Sequence, residues 1–346
     1  QARAGLKTWI ENSLGVAAQW PARLILVSRA EEWRGISSRT MIDTCQLYRL
    51  GLLSDDEAAQ LYNAYGLPPV RHQRPLRTPS LIRRLARLTG EVGGPVTRAK
   101  LLETSVGELR DALAHDHGKL QTERAFSDLS QALAASADAR VRAKDFERDG
   151  TITILDVLIR QDVLFSDGQR LRPESDDLAE YLTALELDWQ KALAAVEGGR
   201  TDSIFLGAIA IAPQLAGREA ELAPLLEAVL PRIDEAMGMW HDLAARIMIE
   251  VDDHARHLDV LHAIFEAWKW NNVVLYASSM HELMEDLRLP ITERFALLMR
   301  LAHGGDKDDW RLKFWRDPEL SGRMVTPFAR TICDLVRTRP TDLLPQ

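Results

Sequence analysis

The strongest constraint on the fold is a short apolar run, Leu24 to Val27, that stops abruptly at Ser28 and Arg29. Pro21 precedes it, and Trp20 and Trp33 flank it. Four continuous apolar residues predict a strand buried on both faces, the habit of a parallel sheet covered by helices. In open α/β sheets, ligands sit off the carboxyl ends of strands. An Arg at that place presents several fixed donors to a phosphate. Before it, Leu6, Trp9, Ile10 and Leu14 mark a helical stripe. No second clear buried strand accompanies the first, and one strand cannot make a parallel sheet. Either the strand is accidental, or it is the end of an α/β core belonging to a longer protein.

From there the pattern is helical. Ser54-Asp55-Asp56-Glu57 is a capping box, and the helix it starts runs to about Tyr65. Gly66 supplies the C-cap, and Pro68-Pro69 prevent continuation. A basic loop carries Arg71, Arg74 and Arg77. Thr78 then suits an N-cap and Pro79 the first helical position, where no amide is needed. Leu81, Ile82, Leu85 and Leu88 form one face of this helix, and Arg83, Arg84 and Arg87 the other. Two further helices are predicted over Arg98–Ala114 and Leu120–Ala135.

Thr151 to Arg160 has a helical stripe, and Val163 to Arg172 reads as a β-hairpin on an Asp167-Gly168 turn. A helix, a hairpin and then a helix from Asp177 to Ala195 is the order of a winged-helix module. After Gly198-Gly199 the spacing predicts helical hairpins over Ser203–Leu215, Glu219–Met237, Trp240–Asp252, Leu258–Trp270, Asn272–Met284, Ile291–Ala302 and Val325–Val336. Their lengths and short turns suit an α-solenoid.

Composition narrows the class. The chain has 346 residues and 46% hydrophobic content, enough for a sizeable core. Its net charge of -8 argues against a dedicated nucleic-acid binder. Only Cys45 and Cys333 occur, which predicts no disulfide framework and a cytoplasmic setting. The longest apolar stretch, Ile204 to Ala212, is too short to span a bilayer. The first residues hold no signal peptide and no Met, as a processed or truncated chain would.

Arg23 to Trp33, Leu53-Ser54-Asp55-Asp56-Glu57-Ala58, Thr78-Pro79-Ser80-Leu81 and Glu180-Tyr181-Leu182-Thr183-Ala184 together resemble the back half of a STAND-type P-loop ATPase. This is the NACHT-like class, related to AAA+ proteins, and the resemblance covers about residues 1–190. It implies a sensor-1 strand ending in Ser28-Arg29, then a helical lid, a winged helix and a helical-repeat sensor arm. The expected fold class is therefore mainly α, beginning with the end of an α/β core. The implied boundaries are 1–45 for the core, 46–140 for the lid, 141–197 for the winged helix and 198–346 for the arm.

The resemblance also implies nucleotide contacts at Ser28, Arg29, Thr78 and Pro79, with Arg29 sensing the γ-phosphate and Pro79 packing on adenine. ATP or ADP with Mg²⁺ would be held mainly by a region absent from this chain. There is no Gly-x-x-x-x-Gly-Lys-[Ser/Thr] and no apolar run ending in Asp-Asp or Asp-Glu. Both absences are expected of a sequence that starts after Walker B. A His that the class often carries before Glu-Tyr-Leu is replaced here by Pro173-Glu174-Ser175-Asp176.

Each candidate has a plainer explanation. Arg29 could merely close a strand, and helix initiation accounts fully for Pro79. The arginines from Arg71 to Arg87 could hold phosphates, but such a band is more often solvated or faces an acidic neighbour. His115-Asp116 and His241-Asp242 have the form of metal phosphohydrolase pairs. Glu250, His254 and His257 would share one helical face. An exposed charged face explains them better, so no metal site and no catalytic residue is assigned. Trp240, Trp268, Trp270, Trp310 and Trp315, with Met280 and Met284, are mostly core residues or, where exposed, anchors for a partner.

The expected function is the C-terminal portion of a signal-transducing ATPase. Its arm would recognise a protein trigger, and the activated protein would form a homo-oligomer, as in bacterial antiphage defence. Nucleic acid and membrane are not expected as partners. Two alternatives stand beside this: a non-enzymatic α-solenoid scaffold, and a metal-dependent phosphohydrolase built on the His-Asp pairs.

Overall fold

Why the described chain folds as helices is visible at its first one. The computed structural model describes residues 53–67, 74–88, 97–146, 151–233, 235 and 238–267, with short pieces between 279 and 297. The expected helix at 6–14, the strand at 24–27 and the helix at 325–336 lie outside these residues, as do Ser28, Arg29, Arg71, Trp268, Trp270, Trp310 and Trp315. Helix α1, Asp55–Ala64, opens on the capping box: the Glu57 amide donates to Ser54 Oγ, and the Ser54 amide to Glu57. It ends at Gly66, where φ is +67° and a side chain would be strained. A 3₁₀ turn, Arg74–Arg77, leads to helix α2, Pro79–Arg87. Tyr62, Leu76 and Ile82 form a small core between these pieces, separate from the main one.

The main core begins with helices α3, Arg98–His117, and α4, Lys119–Ala135. They join at Gly118, whose φ of +89° reverses the chain in one residue. Strand β1, Val141–Arg142, a 3₁₀ turn at Ala143–Phe146 and helix α5, Thr151–Arg160, follow. Strands β2, Leu164–Ser166, and β3, Arg170–Pro173, make the expected hairpin. The sheet is antiparallel in the order β1-β3-β2. Val141 opposes Leu171, and Leu164 opposes Pro173, so one face is buried.

The single helix expected over 177–195 is two. Helix α6, Asp176–Ala184, and helix α7, Trp189–Glu197, are separated at Asp188, which caps the second through the amides of Gln190 and Lys191. A local N-cap overrides a continuous apolar stripe. Helix α8, Ser203–Ile211, is buried from Ile204 to Ile211. It is apolar all round, the mark of a central helix, and it packs between α6 and helix α10, Met239–Glu250. The expected helix over 219–237 is broken into a 3₁₀ turn at Glu219–Glu221, helix α9 at Leu222–Val229 and a second 3₁₀ turn at Leu230–Arg232. Pro231, the second residue of that turn, cannot donate to the preceding helix ladder. Helix α11, Leu258–Glu266, follows a 3₁₀ turn at His254–His257.

Arginines from later in the chain close three helix ends. Arg200 donates to the carbonyls of Ala134 and Ser136 behind α4. Arg218 donates to those of Ala184 and Leu187 behind α6. Arg288 donates to those of Ile249 and Val251 behind α10. A cation there satisfies orphan carbonyls and meets the negative end of the helix dipole.

Candidate functional site: a buried charged junction

Helix α3 begins with Thr97, whose hydroxyl accepts the Lys100 amide. The next residue, Arg98, stands at the positive end of the helix dipole, where a cation is disfavoured. Glu250 has the mirror problem, as the last residue of α10 at a negative end. The fold solves both by bringing them together. Arg98 Nη2 lies 2.5 Å from Glu250. Its Nη1 donates to Asp177 at 2.9 Å and lies 2.6 Å from Glu180.

All four groups are buried or nearly so, Arg98 and Glu250 at 5% and 1% exposure. Burial alone would lower the Arg98 pKa, but Glu180, Glu250 and Asp177 outweigh it and hold it well above the ordinary value. The guanidinium is charged and fixed. Asp177 also suits its own position, in the first turn of α6 behind the Ser175 cap.

The junction continues into the arm. Arg246 of α10 donates to Asp242 at 2.9 Å and to the Ser203 carbonyl at the start of α8. Burial opposes its charge, and Asp242 and Glu180 restore it. Glu180 lies against Gly207 of α8, where an added Cβ would meet its carboxyl atoms at 2.1–2.5 Å. Gly207 is therefore a glycine so that a carboxylate can reach the helix backbone. Helices from the expected lid, winged helix and arm thus converge on one guanidinium.

A second contact lies beside it. Arg83 and Arg84 of α2 pair with Glu174, at 2.5 and 3.2 Å. Arg87 pairs with Asp162 at 3.2 Å. The basic face of α2 meets acids on both sides of the hairpin, the acidic-neighbour explanation of the band. Arg77 is buried and donates to the Leu53 carbonyl at 2.6 Å.

The predicted nucleotide contacts divide. Thr78 is the N-cap of α2, half-buried, and its hydroxyl does not cap the helix. Pro79 is exposed at the first turn. Ser28 and Arg29 lie outside the described residues.

Two expectations are corrected. Glu250, His254 and His257 do not share a helical face, because α10 ends at Glu250 with an extended Val251. Nor are they an exposed charged face: Glu250 and His254 are buried. His254 donates from Nε2 to the Met248 carbonyl and accepts the Arg288 amide on Nδ1, so its ring is neutral. Burial and the nearby Arg288 lower its pKa to about 4. His241 donates from Nε2 to the Ile264 carbonyl, and its neighbour Asp242 is held by Arg246. No group of three or more metal-ligating side chains is assembled among the described residues. Trp240, Met280 and Met284 are buried, as core residues should be.

Sequence reasoning passed over Arg98 and Gly207 as parts of the junction. Each carries a signal: a cation at the wrong helix end, and a glycine inside an apolar helix. No protein-family model matches the chain, and no curated protein or solved structure matches it. None of the described helices is long and apolar enough to cross a membrane.

Proposed function

We propose that this chain is the lid, winged-helix and sensor part of a STAND-like switch ATPase, held closed by the charged junction at Arg98 and by the neighbouring contact of α2 with Glu174. The observation that carries this is the convergence of α3, α6 and α10 on one buried guanidinium. A buried ionic cluster contributes little net stability compared with apolar packing, but it fixes one register and comes apart at a large cost. That is the behaviour wanted of a latch between moving parts.

Two arrangements support the reading. The order strand, helical turn, helix, hairpin, helix, with sheet order β1-β3-β2, suits a winged helix over 141–197. Glu174, in the Pro173–Asp176 neighbourhood where the resembled class often has a His, pairs instead with the helix that Thr78 and Pro79 begin. In this proposal ADP, held mainly upstream, keeps the protein closed. A protein trigger on the arm strains the junction, and ATP exchange and homo-oligomer formation follow.

The test uses the whole protein. Glu174→Arg sets three cations against one another and should give oligomers without the trigger, measured by size-exclusion chromatography with light scattering. A monomer with unchanged nucleotide exchange would remove the reading. Residues 1–346 alone should show no metal-dependent ATP turnover, since phosphoryl transfer needs a phosphate cradle and a held Mg²⁺. Turnover above background would favour the phosphohydrolase alternative.

A further inference from the structure

The register of the small sheet gathers residues that are scattered in sequence. Arg142 lies opposite Arg170, and Phe165 lies opposite Arg172. All four are exposed, on the face turned away from the buried Val141, Leu164 and Leu171. Like charges directly opposite each other across strands are destabilising. The fold does little to relieve them. Arg142 and Arg172 meet no carboxylate among the described residues, and Arg170 has Asp138 at 4.0 Å and the Asp167 carboxylate at the turn. Asp138 is itself held by the Ser136 hydroxyl and the Arg140 amide. Asp167, at the turn, is occupied by the amides of Gln169 and Arg170. Phe165 is 51% exposed, and the Arg172 guanidinium lies over its ring, 4.9 Å from the centre, so that ring and guanidinium form one stacking surface.

We propose that this outer sheet face binds single-stranded nucleic acid, taking phosphates on Arg142, Arg170 and Arg172 and stacking a base on Phe165. Local field, not net charge, decides what a patch attracts, so an overall charge of -8 is no obstacle. Arginine serves both needs, because its planar group pairs with phosphate and stacks on rings. An exposed ring is reached by an unstacked base, whereas a duplex hides its base faces. An acidic protein segment would use the guanidiniums but leave the ring in water.

The experiment is fluorescence anisotropy of the full chain with labelled oligothymidylate and oligouridylate, each about 15 nucleotides long, at about 50 mM salt. Binding should weaken with salt at a logarithmic slope near -2, as roughly three phosphate contacts on a single strand require. Phe165→Ala should weaken binding about tenfold while leaving that slope unchanged. R142A/R170A/R172A should remove most of the slope. Because these residues are exposed, both variants should melt with the wild type, and Phe165→Trp should retain binding. Failure of both oligonucleotides to bind, or equal binding by the variants, would overturn the proposal. So would displacement by polyglutamate as effective as by unlabelled oligonucleotide, which would assign the face to acidic proteins.

Discussion

Arg98 and Arg142 carry the same side chain and live in opposite surroundings. Arg98 is buried among three carboxylates from two other helices. Arg142 stands in water, facing another arginine, with no acid at hand among the described residues. The difference separates two kinds of charge. A buried and paired charge is part of the architecture, and its loss is felt by the whole fold. An exposed and unrelieved charge does nothing for the fold and is available to a ligand.

The sharpest way to break this comparison is to remove the buried cation. Arg98→Met leaves Asp177, Glu180 and Glu250 close together without it and should cost about 3–5 kcal/mol. Urea unfolding measures this, and a loss below about 1 kcal/mol would mean the junction is not dry.

His254 extends the buried side to pH. Its folded pKa of about 4 lies below the ordinary 6.5, with burial, Arg288 and His257 against the charge and the Met248 carbonyl and Asp253 for it. The unfolded chain therefore takes up a proton that the folded chain refuses. Stability from this group is complete above about pH 6.5 and is lost as pH falls toward 4, by up to about 3 kcal/mol. His254→Gln should flatten that part of the stability profile, and an unchanged profile would place the titration elsewhere.

Gly207→Ala probes the same junction from α8. The new Cβ would displace the Glu180 carboxylate from its place beside Arg98. The expected loss is about 1–3 kcal/mol, as for other over-packed sites. In a double-mutant cycle with Glu180→Ala the two changes should be strongly non-additive. Additivity would show that Glu180 moves freely.

The smallest effect belongs to the sheet face. Arg142→Gln removes a like-charge pair and should change stability by no more than about 0.5 kcal/mol, in the stabilising direction. A clear destabilisation in thermal melts would mean that Arg142 has a structural partner after all.

Much of the described helical order was legible because it rests on local chemistry. The Ser54-Glu57 capping box, the Gly66 stop, Pro79 at a helix start and the Asp167-Gly168 turn are each decided within a few residues. The split of α6 from α7 was legible too, in Asp188, but a continuous apolar stripe concealed it. The basic face of α2 could be read as facing acids, yet Glu174 and Asp162 lie far along the chain and could not be named.

The sequence by itself determined that the described chain is mainly helical, where several helices start, and that one hairpin interrupts them. Caps, turns and apolar periodicity act over a turn or two, so they survive without knowledge of the fold. Which charges are buried was decided only by tertiary structure. Thr97-Arg98 and Ile249-Glu250 look alike as helix ends, and each ending is unfavourable alone. They become favourable only when packing removes water and sets a guanidinium 2.5 Å from a carboxylate. The sheet face follows the same logic in reverse: strand pairing brings Arg142 beside Arg170, against their mutual repulsion, because the buried Val141–Leu171 pair beside them fixes the register.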